Sequence, residues 1–564
     1  MKRSNPAADE EEMATMVPPS PPAGADIVVD DPAVEHQRSS SLTTKPCWKT
    51  TTSGGVGVLL GTILFLALLV RTQWNHLDVD YYSFLRGTGT GSVSRRGRAP
   101  SRTRSSTAPL VPIPFSCGAN VTSGLSLCSL RGAASAPAPS PSLSSSSSSS
   151  SAQKHYSPGV PPPWCPDYFR HIHTDLEPWR ATGITQHALA RARRHAMFRL
   201  VVVSGRAYVQ KYRRPSYQTR DIFTQWGILQ LLARYPGRVP DVEIMFATGD
   251  VIEVRASDYR ADPSAAPPLF RYCKDVTQEV AVLWPDWSFW GWPEINVRPW
   301  APLMKEFVRE NERLRWADRE PYAFWKGNTV KLPVREDLYR CNNDSAAGKE
   351  WNARLIKHHW SSVSGVSQSE MKETNILDQC RYRYKIYVGG RAWSVSEKYI
   401  LACDSPMLAL DTNYKDFFSR GLVAGKHYWP IDHGSKCPAI KLAVDWGNAH
   451  PEEAQRMGRE GSGFVREEMD MEYVYEYMLH VLTEYAALLR YKPTVPSNGV
   501  ELCPESIACP RSDLEREFMM ESREKYVAER EPCTLPPPFT ADEVREMALR
   551  EADVRSKLLQ MEGH

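Results

Sequence analysis

Net charge is the first thing that this sequence has little of. Its 69 Lys and Arg residues are nearly balanced by 66 Asp and Glu residues, which leaves a net charge of +3 over 564 residues. The basic residues are scattered, except near the amino terminus. A nucleic-acid-binding protein needs a strong positive field, so that class of function is disfavoured.

The dense part of the sequence also lacks a D-x-D motif, in which two carboxylates hold a divalent cation. The match at Asp78 and Asp80 lies eight residues beyond a long apolar run, far from any expected pocket. A metal-dependent mechanism is therefore disfavoured. A diphosphate would instead need Lys, Arg and backbone N–H groups as its partners.

The apolar run covers residues 54–70, GGVGVLLGTILFLALLV, and contains no charged residue. As a helix it would span about 26 Å, which is enough for the core of a bilayer. Trp48 and Trp74 flank it where interfacial aromatic residues are found. We expect a single transmembrane signal anchor, although the positively charged residues on both sides barely orient it.

Cysteines and glycosylation sequons orient the chain better. Eleven of the 12 cysteines follow the apolar run, as do the sequons at Asn120 and Asn343. Both features favour a lumenal carboxy-terminal part.

A zinc site is disfavoured, because Cys503 and Cys509 are too far apart for a C-x-x-C pair. Eight cysteines allow 105 disulfide pairings, among which the sequence does not choose. The eight in the dense region are Cys165, Cys273, Cys341, Cys380, Cys403, Cys437, Cys503 and Cys509.

Composition divides the chain into five parts. Residues 1–53 are predicted to be a disordered cytosolic tail, 54–70 the anchor, and 71–160 a Ser/Pro-rich lumenal stem. Residues 161–510 are expected to form the catalytic domain, followed by a charged helical extension at 511–564. Within the dense region, strand-like runs at 200–204, 242–246, 322–325, 384–388 and 407–410 alternate with helical patterns such as 221–235. This alternation predicts an α/β fold with largely parallel sheets.

Five segments carry a family resemblance. They are CPDYFRHIHTDLEPW (165–179), WGWPEINVRPW (290–300), FWKGN (324–328), WSVSEKYILACDS (393–405) and HYWP (427–430). In this order and spacing they resemble glycosyltransferase family 90, which contains the capsule-associated and Rumi-type protein O-glucosyltransferases. Within this family, the chain looks like the plant branch.

The resemblance implies a GT-B architecture, in which two Rossmann-like domains face each other across a cleft. It also implies a UDP-sugar donor, inversion at the anomeric carbon, and no cofactor or obligatory metal. An inverting transfer needs a base for the acceptor hydroxyl. The family's catalytic Asp corresponds to Asp250, which follows the predicted strand at 242–246. Asp241 is the second candidate, and a turn-capping role is the structural alternative for Asp250.

The donor site is also expected from the resemblance. Lys326, Gly327 and Asn328 match the first segment that meets the nucleotide sugar, and Arg335 matches the Arg that pairs with the diphosphate. The residues that match the second such segment are Ser394, Ser396 and Lys398. Rumi-type members have an Arg where this chain has Ser396. Either Lys398 supplies that charge or the donor differs, so the transferred sugar stays open.

Trp287, Phe289, Trp290 and Trp292 fall in the segment that forms part of the acceptor surface in Rumi-type enzymes. Aromatic rings can stack on sugars or peptides, but they are also ordinary core residues. A structural role is favoured for His171 and His173, because no third metal ligand is in view.

The sequence therefore predicts an inverting, metal-independent glycosyltransferase with a membrane anchor. We expect it to transfer glucose or xylose to a glycoprotein or a cell-wall polysaccharide. It carries no endoplasmic-reticulum retention tetrapeptide at residue 564, which favours a single-pass type II protein of the Golgi membrane. The alternative is a non-catalytic lumenal carbohydrate-binding protein that retains the transferase fold.

Overall fold

A computed structural model describes residues 110–118, 128, 162–212, 215–330, 332–343, 350–357 and 375–562. The predicted anchor at 54–70, the cytosolic tail, most of the stem and Asn120 lie outside these residues. Among the helices that are described, none is both long enough and apolar enough to cross a membrane.

The described chain alternates between helices and strands. Its helices are α1 (His171–Leu176), α2 (Gln186–Ala192), α3 (Arg220–Arg234), α4 (Trp300–Arg313), α5 (Pro333–Tyr339), α6 (Glu397–Leu401), α7 (Lys436–Ala449), α8 (Pro451–Glu467), α9 (Met471–Leu488), α10 (Pro504–Ala508), α11 (Asp513–Glu521) and α12 (Ala541–Glu562). Its strands are β1 (Phe198–Val203), β2 (Arg206–Lys211), β3 (Val242–Phe246), β4 (Phe270–Arg271), β5 (Cys273–Asp275), β6 (Val282–Leu283), β7 (Glu320–Gly327), β8 (Ala353–Lys357), β9 (Tyr382–Tyr387), β10 (Met407–Leu410), β11 (Tyr414–Asp416), β12 (Tyr428–Ile431) and β13 (Val500–Leu502).

The first large sheet has the strand order β13-β2-β1-β3-β4-β6. It is mixed: β1 pairs antiparallel with both β2 and β3, whereas β3–β4 and β4–β6 are parallel. Every residue of β3 is buried, including Glu243, whose carboxylate pairs with Arg199 at 2.7 Å. Helix α3 packs closely against the segment that ends at Trp290, because Gly227 leaves room for the Trp290 indole; a Cβ at Gly227 would lie 2.4 Å from that ring.

The second large sheet has the order β12-β10-β9-β7-β8, and all of its pairs are parallel. Its own core includes Leu408, Ile386 and Val444. The predicted α/β fold with parallel strands is thus confirmed. The antiparallel pairs around β1 make the first sheet less parallel than expected. A two-stranded ladder pairs β5, which lies between β4 and β6 in the sequence, with β11, which lies between β10 and β12.

Five disulfides fasten the described chain. The pairs are Cys117–Cys509, Cys128–Cys503, Cys165–Cys533, Cys341–Cys437 and Cys380–Cys403. Of the eight cysteines in the dense region, Cys273 stays a buried free thiol. Three partners come from the predicted stem and carboxy-terminal extension, so counting within the dense region could not reveal the pairs. Arg170 also binds Glu543 at 2.7 Å, which ties α12 to the start of the domain.

Candidate active site

Asp250 lies just beyond the carboxyl end of β3, a buried strand. In α/β sheets, ligands commonly bind at the carboxyl ends of parallel strands. The Asp250 side chain is 30% exposed. Arg220, in the first turn of α3, donates from Nη1 to Asp250 Oδ1 at 2.7 Å and to the carbonyl oxygen of Thr248 at 3.0 Å. One carboxylate oxygen is therefore held while the side chain still reaches solvent.

Aromatic packing fixes Arg220 in turn. Its guanidinium carbon lies 4.3 Å from the centroid of the Trp287 ring, and the side chain is mostly buried. A cation over an indole face is attracted to the ring, and the flat guanidinium stacks well on it. Trp287 therefore acts on Asp250 through Arg220.

A second arginine holds the same loop from the sheet side. Arg271, fully buried in β4, donates to the carbonyl oxygens of Gly249 at 2.9 Å and Val251 at 2.6 Å. Its charge is balanced by Glu279, 2.5 Å away, and burial raises the pKa of that carboxyl. The backbone on both sides of Asp250 is thus anchored to the sheet.

Asp241, the second candidate base, lies at the opposite end of β3. Its Oδ1 accepts a hydrogen bond from the backbone N–H of Ser204 at 2.7 Å, in the tight turn between β1 and β2. Ser204 has φ of 51°, a left-handed conformation that such a bond helps to stabilise. Asp241 is a turn-capping residue, and Asp250 is the carboxylate at the edge where a ligand site is expected.

The predicted donor residues gather at the carboxyl ends of β7 and β9, which are neighbours in the second sheet. Arg335, in α5, connects them. It donates to the carbonyl oxygens of Asn328 at 3.1 Å and Gly389 at 3.0 Å, and to Ser394 Oγ at 3.3 Å. Ser394 Oγ in turn lies 2.9 Å from Ser396 Oγ. The predicted residues that are brought together are therefore Asn328, Arg335, Ser394 and Ser396. Lys326 and Gly327 immediately precede Asn328 in the chain.

Small residues allow this close approach. A Cβ at Gly390 would lie 3.3 Å from Arg335 Nη2, and a Cβ at Gly327 would lie 2.5 Å from the Trp325 ring. Burial lowers the pKa of Arg335 to about 10, so the guanidinium remains charged at neutral pH. The group thus offers a fixed cation and two hydroxyls beside a glycine-containing turn, which are features suited to an anionic ligand.

Lys398 does not join this group. Its Nζ donates to Asp286 Oδ2 at 2.8 Å, and the two side chains are 1% and 3% exposed. A lysine buried in this way cannot also face a diphosphate in solvent. The predicted donor contact is therefore corrected: Lys398 forms a buried ion pair that joins α6 to the segment before Trp287.

The predicted acceptor surface is also corrected. Trp287, Phe289 and Trp290 are all fully buried, so none presents a ring to an acceptor. Trp290 donates to Tyr475 Oη at 3.0 Å, and Phe289 packs against Trp300. Sequence did not reveal this, because aromatic clusters are typical of both cores and sugar-binding surfaces.

The two groups of candidate residues are connected through packed rings. Trp393, next to Ser394, contacts Trp287 with their ring centroids 6.4 Å apart. Trp287 lies against Arg220, which holds Asp250. A continuous set of contacts therefore runs from the Arg335 group to the candidate base.

His173 lies away from this region. Its ring nitrogens contact the carbonyl oxygen of Pro536 at 2.9 Å and Arg180 Nη2 at 2.7 Å. Burial lowers the pKa of His171 to about 3, which keeps its ring neutral. Both roles are structural, as expected. Among the described residues, one cluster has suitable metal-binding atoms close together, and it consists of the disulfide Cys165–Cys533 with His480.

Asn343 is partly buried and hydrogen-bonded. Its Oδ1 accepts from the backbone N–H groups of Trp351 at 2.8 Å and Ala353 at 3.2 Å, and its Nδ2 donates to Glu350. The prediction that it carries a glycan stays a prediction.

Sequence reasoning missed Arg220, Arg271 and Asp286. One signal was available for Arg271, a charged residue inside the apolar run LFRYC at 269–273. A charge in a buried strand needs a fixed partner, and such pairs often support functional loops. The local sequence around Arg220 contains no comparable signal.

Comparison with known proteins identifies the family of this chain. The family model described as glycosyl transferase family 90 matches residues 161–562. The chain is 25% identical over 367 residues to Protein O-glucosyltransferase 1 of Bos taurus, covering 63% of this chain and 88% of the relative. The chain is 24% identical over 356 residues to the Homo sapiens protein of the same name, and the match covers 61% of this chain and 86% of that relative. For O-glucosyltransferase rumi of Drosophila melanogaster it is 23% over 343 residues, covering 58% and 78%. The chain belongs to glycosyltransferase family 90 and is a glycosyltransferase of the Rumi type.

Proposed function

We propose that this protein is an inverting transferase that moves glucose or xylose from a UDP-sugar to an acceptor hydroxyl. The observation that carries the proposal is Asp250: a partly exposed carboxylate at the carboxyl end of β3, held through one oxygen by Arg220. A fixed base within reach of a hydroxyl is the group that such a transfer requires.

In the proposed reaction, Asp250 takes the proton of the acceptor hydroxyl as its oxygen attacks the anomeric carbon. The bond from that carbon to the diphosphate oxygen breaks, and UDP leaves with the bonding electron pair. Attack on the face opposite the leaving group inverts the anomeric configuration. Arg220 and Arg271 keep the base in place, since each holds the loop that carries it.

On the donor side, Arg335 is the proposed partner of the diphosphate, with Ser394, Ser396 and the turn at Gly327 and Asn328 around it. A charged guanidinium stabilises the negative charge that develops on the leaving group. Lys326, which is exposed and next to this turn, is proposed to supply a second cation. The reaction needs no metal ion in this proposal, because these groups take the place of a D-x-D site.

We further propose a GT-B arrangement, in which the first sheet carries the base and the second sheet carries the donor site. Residues 54–70 are proposed to anchor the protein as a type II protein in the Golgi membrane. The acceptor is proposed to be a glycoprotein or a cell-wall polysaccharide. These statements rest on sequence and on resemblance to the family.

The test is to incubate the purified full chain with a panel of UDP-sugars and candidate acceptors, with and without a metal chelator. We expect acceptor-dependent release of UDP with UDP-glucose or UDP-xylose, unchanged by the chelator. The anomeric configuration of the product, measured by NMR, should be opposite to that of the donor. Retention of configuration, or glycan binding without turnover of any donor, would contradict the proposal; the latter would favour a carbohydrate-binding protein.

A further inference from the structure

A basic groove lies on the first sheet's side of the molecule. It has a volume of about 590 Å³ and is lined by Ala190, Arg191, Arg193, Arg194 and Tyr212. Arg193 and Arg194 are exposed, and Tyr212 is partly exposed. No described carboxylate pairs with any of the three arginines. We call this feature the arginine groove.

The arginines of the groove contact histidine rings, a carbonyl oxygen and an aromatic ring. Arg191 binds His187 Nδ1 at 2.9 Å and the carbonyl oxygen of Ala265 at 2.7 Å. Arg194 binds His195 Nε2 at 2.9 Å, and the Arg193 guanidinium lies 5.1 Å from the Tyr212 ring centroid. These contacts position the side chains without neutralising them.

Among the described residues, one carboxylate lies close to the arginine groove. Glu253, a nearby carboxylate, faces His195 at 3.3 Å. A helix end accounts for part of the pattern, because a cation is favourable at the carboxyl end of α2. One arginine would be enough to stabilise the carboxyl end of α2. Three arginines that line a groove together with an aromatic ring form a surface suited to an anion.

The register of the first sheet places the arginine groove and Asp250 at the same end of the strands. Phe198, at the start of β1, is paired with Phe246 at the end of β3 and with Lys211 at the end of β2. Residues 193–197, which precede β1, and Tyr212, which follows β2, therefore lie beyond the strand ends at which the Asp250 loop begins. Met197 N–H donates to the carbonyl oxygen of Phe246 at 2.8 Å, which fixes this arrangement.

We propose that the arginine groove binds an acidic acceptor glycan, a sugar chain that carries carboxylates, and leads it to Asp250. This inference rests on the proposed function and names the acceptor class for that site. Guanidinium groups recognise carboxylates through paired hydrogen bonds. The Tyr212 ring adds an apolar surface for a sugar face, which favours a uronate chain over an acidic peptide.

Binding tests the proposal independently of catalysis. The affinity of the full chain carrying Asp250→Asn is measured for polygalacturonate oligomers and for the same oligomers with methyl-esterified carboxylates. The groove variant combines Arg193→Gln and Arg194→Gln. Its matched control combines Arg313→Gln and Arg315→Gln, which remove two exposed arginines near the end of α4.

We expect the acidic oligomers to bind and the esterified ones to bind about tenfold more weakly, because charged hydrogen bonds are lost. The groove variant should lose about the same factor, and the control variant should not. Affinity should also fall as salt is added, because exposed charges are screened. Thermal unfolding of the groove variant should match that of its parent.

Equal binding of acidic and esterified oligomers would overturn the proposal, as would an unchanged affinity of the groove variant. Tighter binding of polyglutamate than of polygalacturonate would favour an acidic peptide and overturn it too. Selective binding of the acidic oligomers without UDP release from any donor by the unmodified chain would support the groove while contradicting the proposed function. UDP release with neutral acceptors alone would support the proposed function while contradicting the proposed role of the groove.

Discussion

Arg220 Nη1 lies 2.7 Å from Asp250 Oδ1, and the same guanidinium is stacked on Trp287. In the proposed mechanism, this relationship would let the buried Trp287 affect catalysis through Arg220 without touching the acceptor. It also makes Arg220 a positioning residue whose effect should appear in the chemical step.

Replacing Arg220 tests that role. Arg220→Gln should lower kcat by about 10²-fold, because displacing a catalytic group by about 1 Å costs that much. The KM for the UDP-sugar should stay unchanged, since the proposed donor residues lie on the second sheet. Steady-state kinetics at saturating acceptor would measure both quantities.

Arg199→Gln is the matched control, because Arg199 also pairs with a buried carboxylate in the first sheet, Glu243, at 2.7 Å. It should retain kcat. A raised donor KM with unchanged kcat for Arg220→Gln, or equal losses in the two variants, would show that Arg220 does not position the base.

The buried pair of Lys398 and Asp286 predicts an effect on stability. Lys398→Met leaves the Asp286 charge without its partner, which should cost about 3–5 kcal/mol of unfolding free energy. Lys326→Met, at an exposed position, should change stability little and weaken donor binding. Denaturant unfolding under non-reducing conditions and UDP titration would separate the two. A normal stability with lost UDP affinity for Lys398→Met would restore its role as a donor contact.

Glu397 predicts a dependence of stability on pH. Burial raises its pKa from 4.5 to about 8, and the nearby buried Asp416 adds to the shift. Because the folded state binds this proton more tightly than the unfolded chain, the stabilisation is complete below about pH 4.5. It is lost as the pH rises through about 8.

Glu397→Gln removes this titration. The variant should gain stability relative to the unmodified chain as the pH rises from about 6 to about 9, seen as a smaller drop in Tm. Asp378→Asn on the surface is a suitable control. A constant difference in Tm between variant and parent at all pH values would contradict the assignment.

Sequence predicted the parts of this structure that local pattern determines. The strand-like runs at 242–246 and 407–410 are buried strands, and Asp250 follows the first of them, at the carboxyl end of β3. Arg335, Ser394 and Asn328 were brought together as the motif order implied.

What sequence could not predict depends on contacts between distant residues. Lys398 was predicted to contact the donor from family resemblance, and nothing in its local sequence reveals its partner Asp286, which lies 112 positions earlier in the chain. The burial of Trp287 follows from its contacts with Tyr272 and Trp393, which belong to different segments. Hydrophobicity alone does not tell a covered ring from one that stacks on a substrate.

The role of Asp250 as the base is tested by comparing Asp250→Asn with Asp241→Asn in acceptor-dependent UDP release. Loss of a general base should reduce kcat by about 10²–10⁴-fold in Asp250→Asn. Asp241→Asn should keep nearly full activity, because Asp241 caps a turn at the other end of β3. Full turnover by Asp250→Asn, or a larger loss in Asp241→Asn, would contradict the assignment of Asp250 as the base.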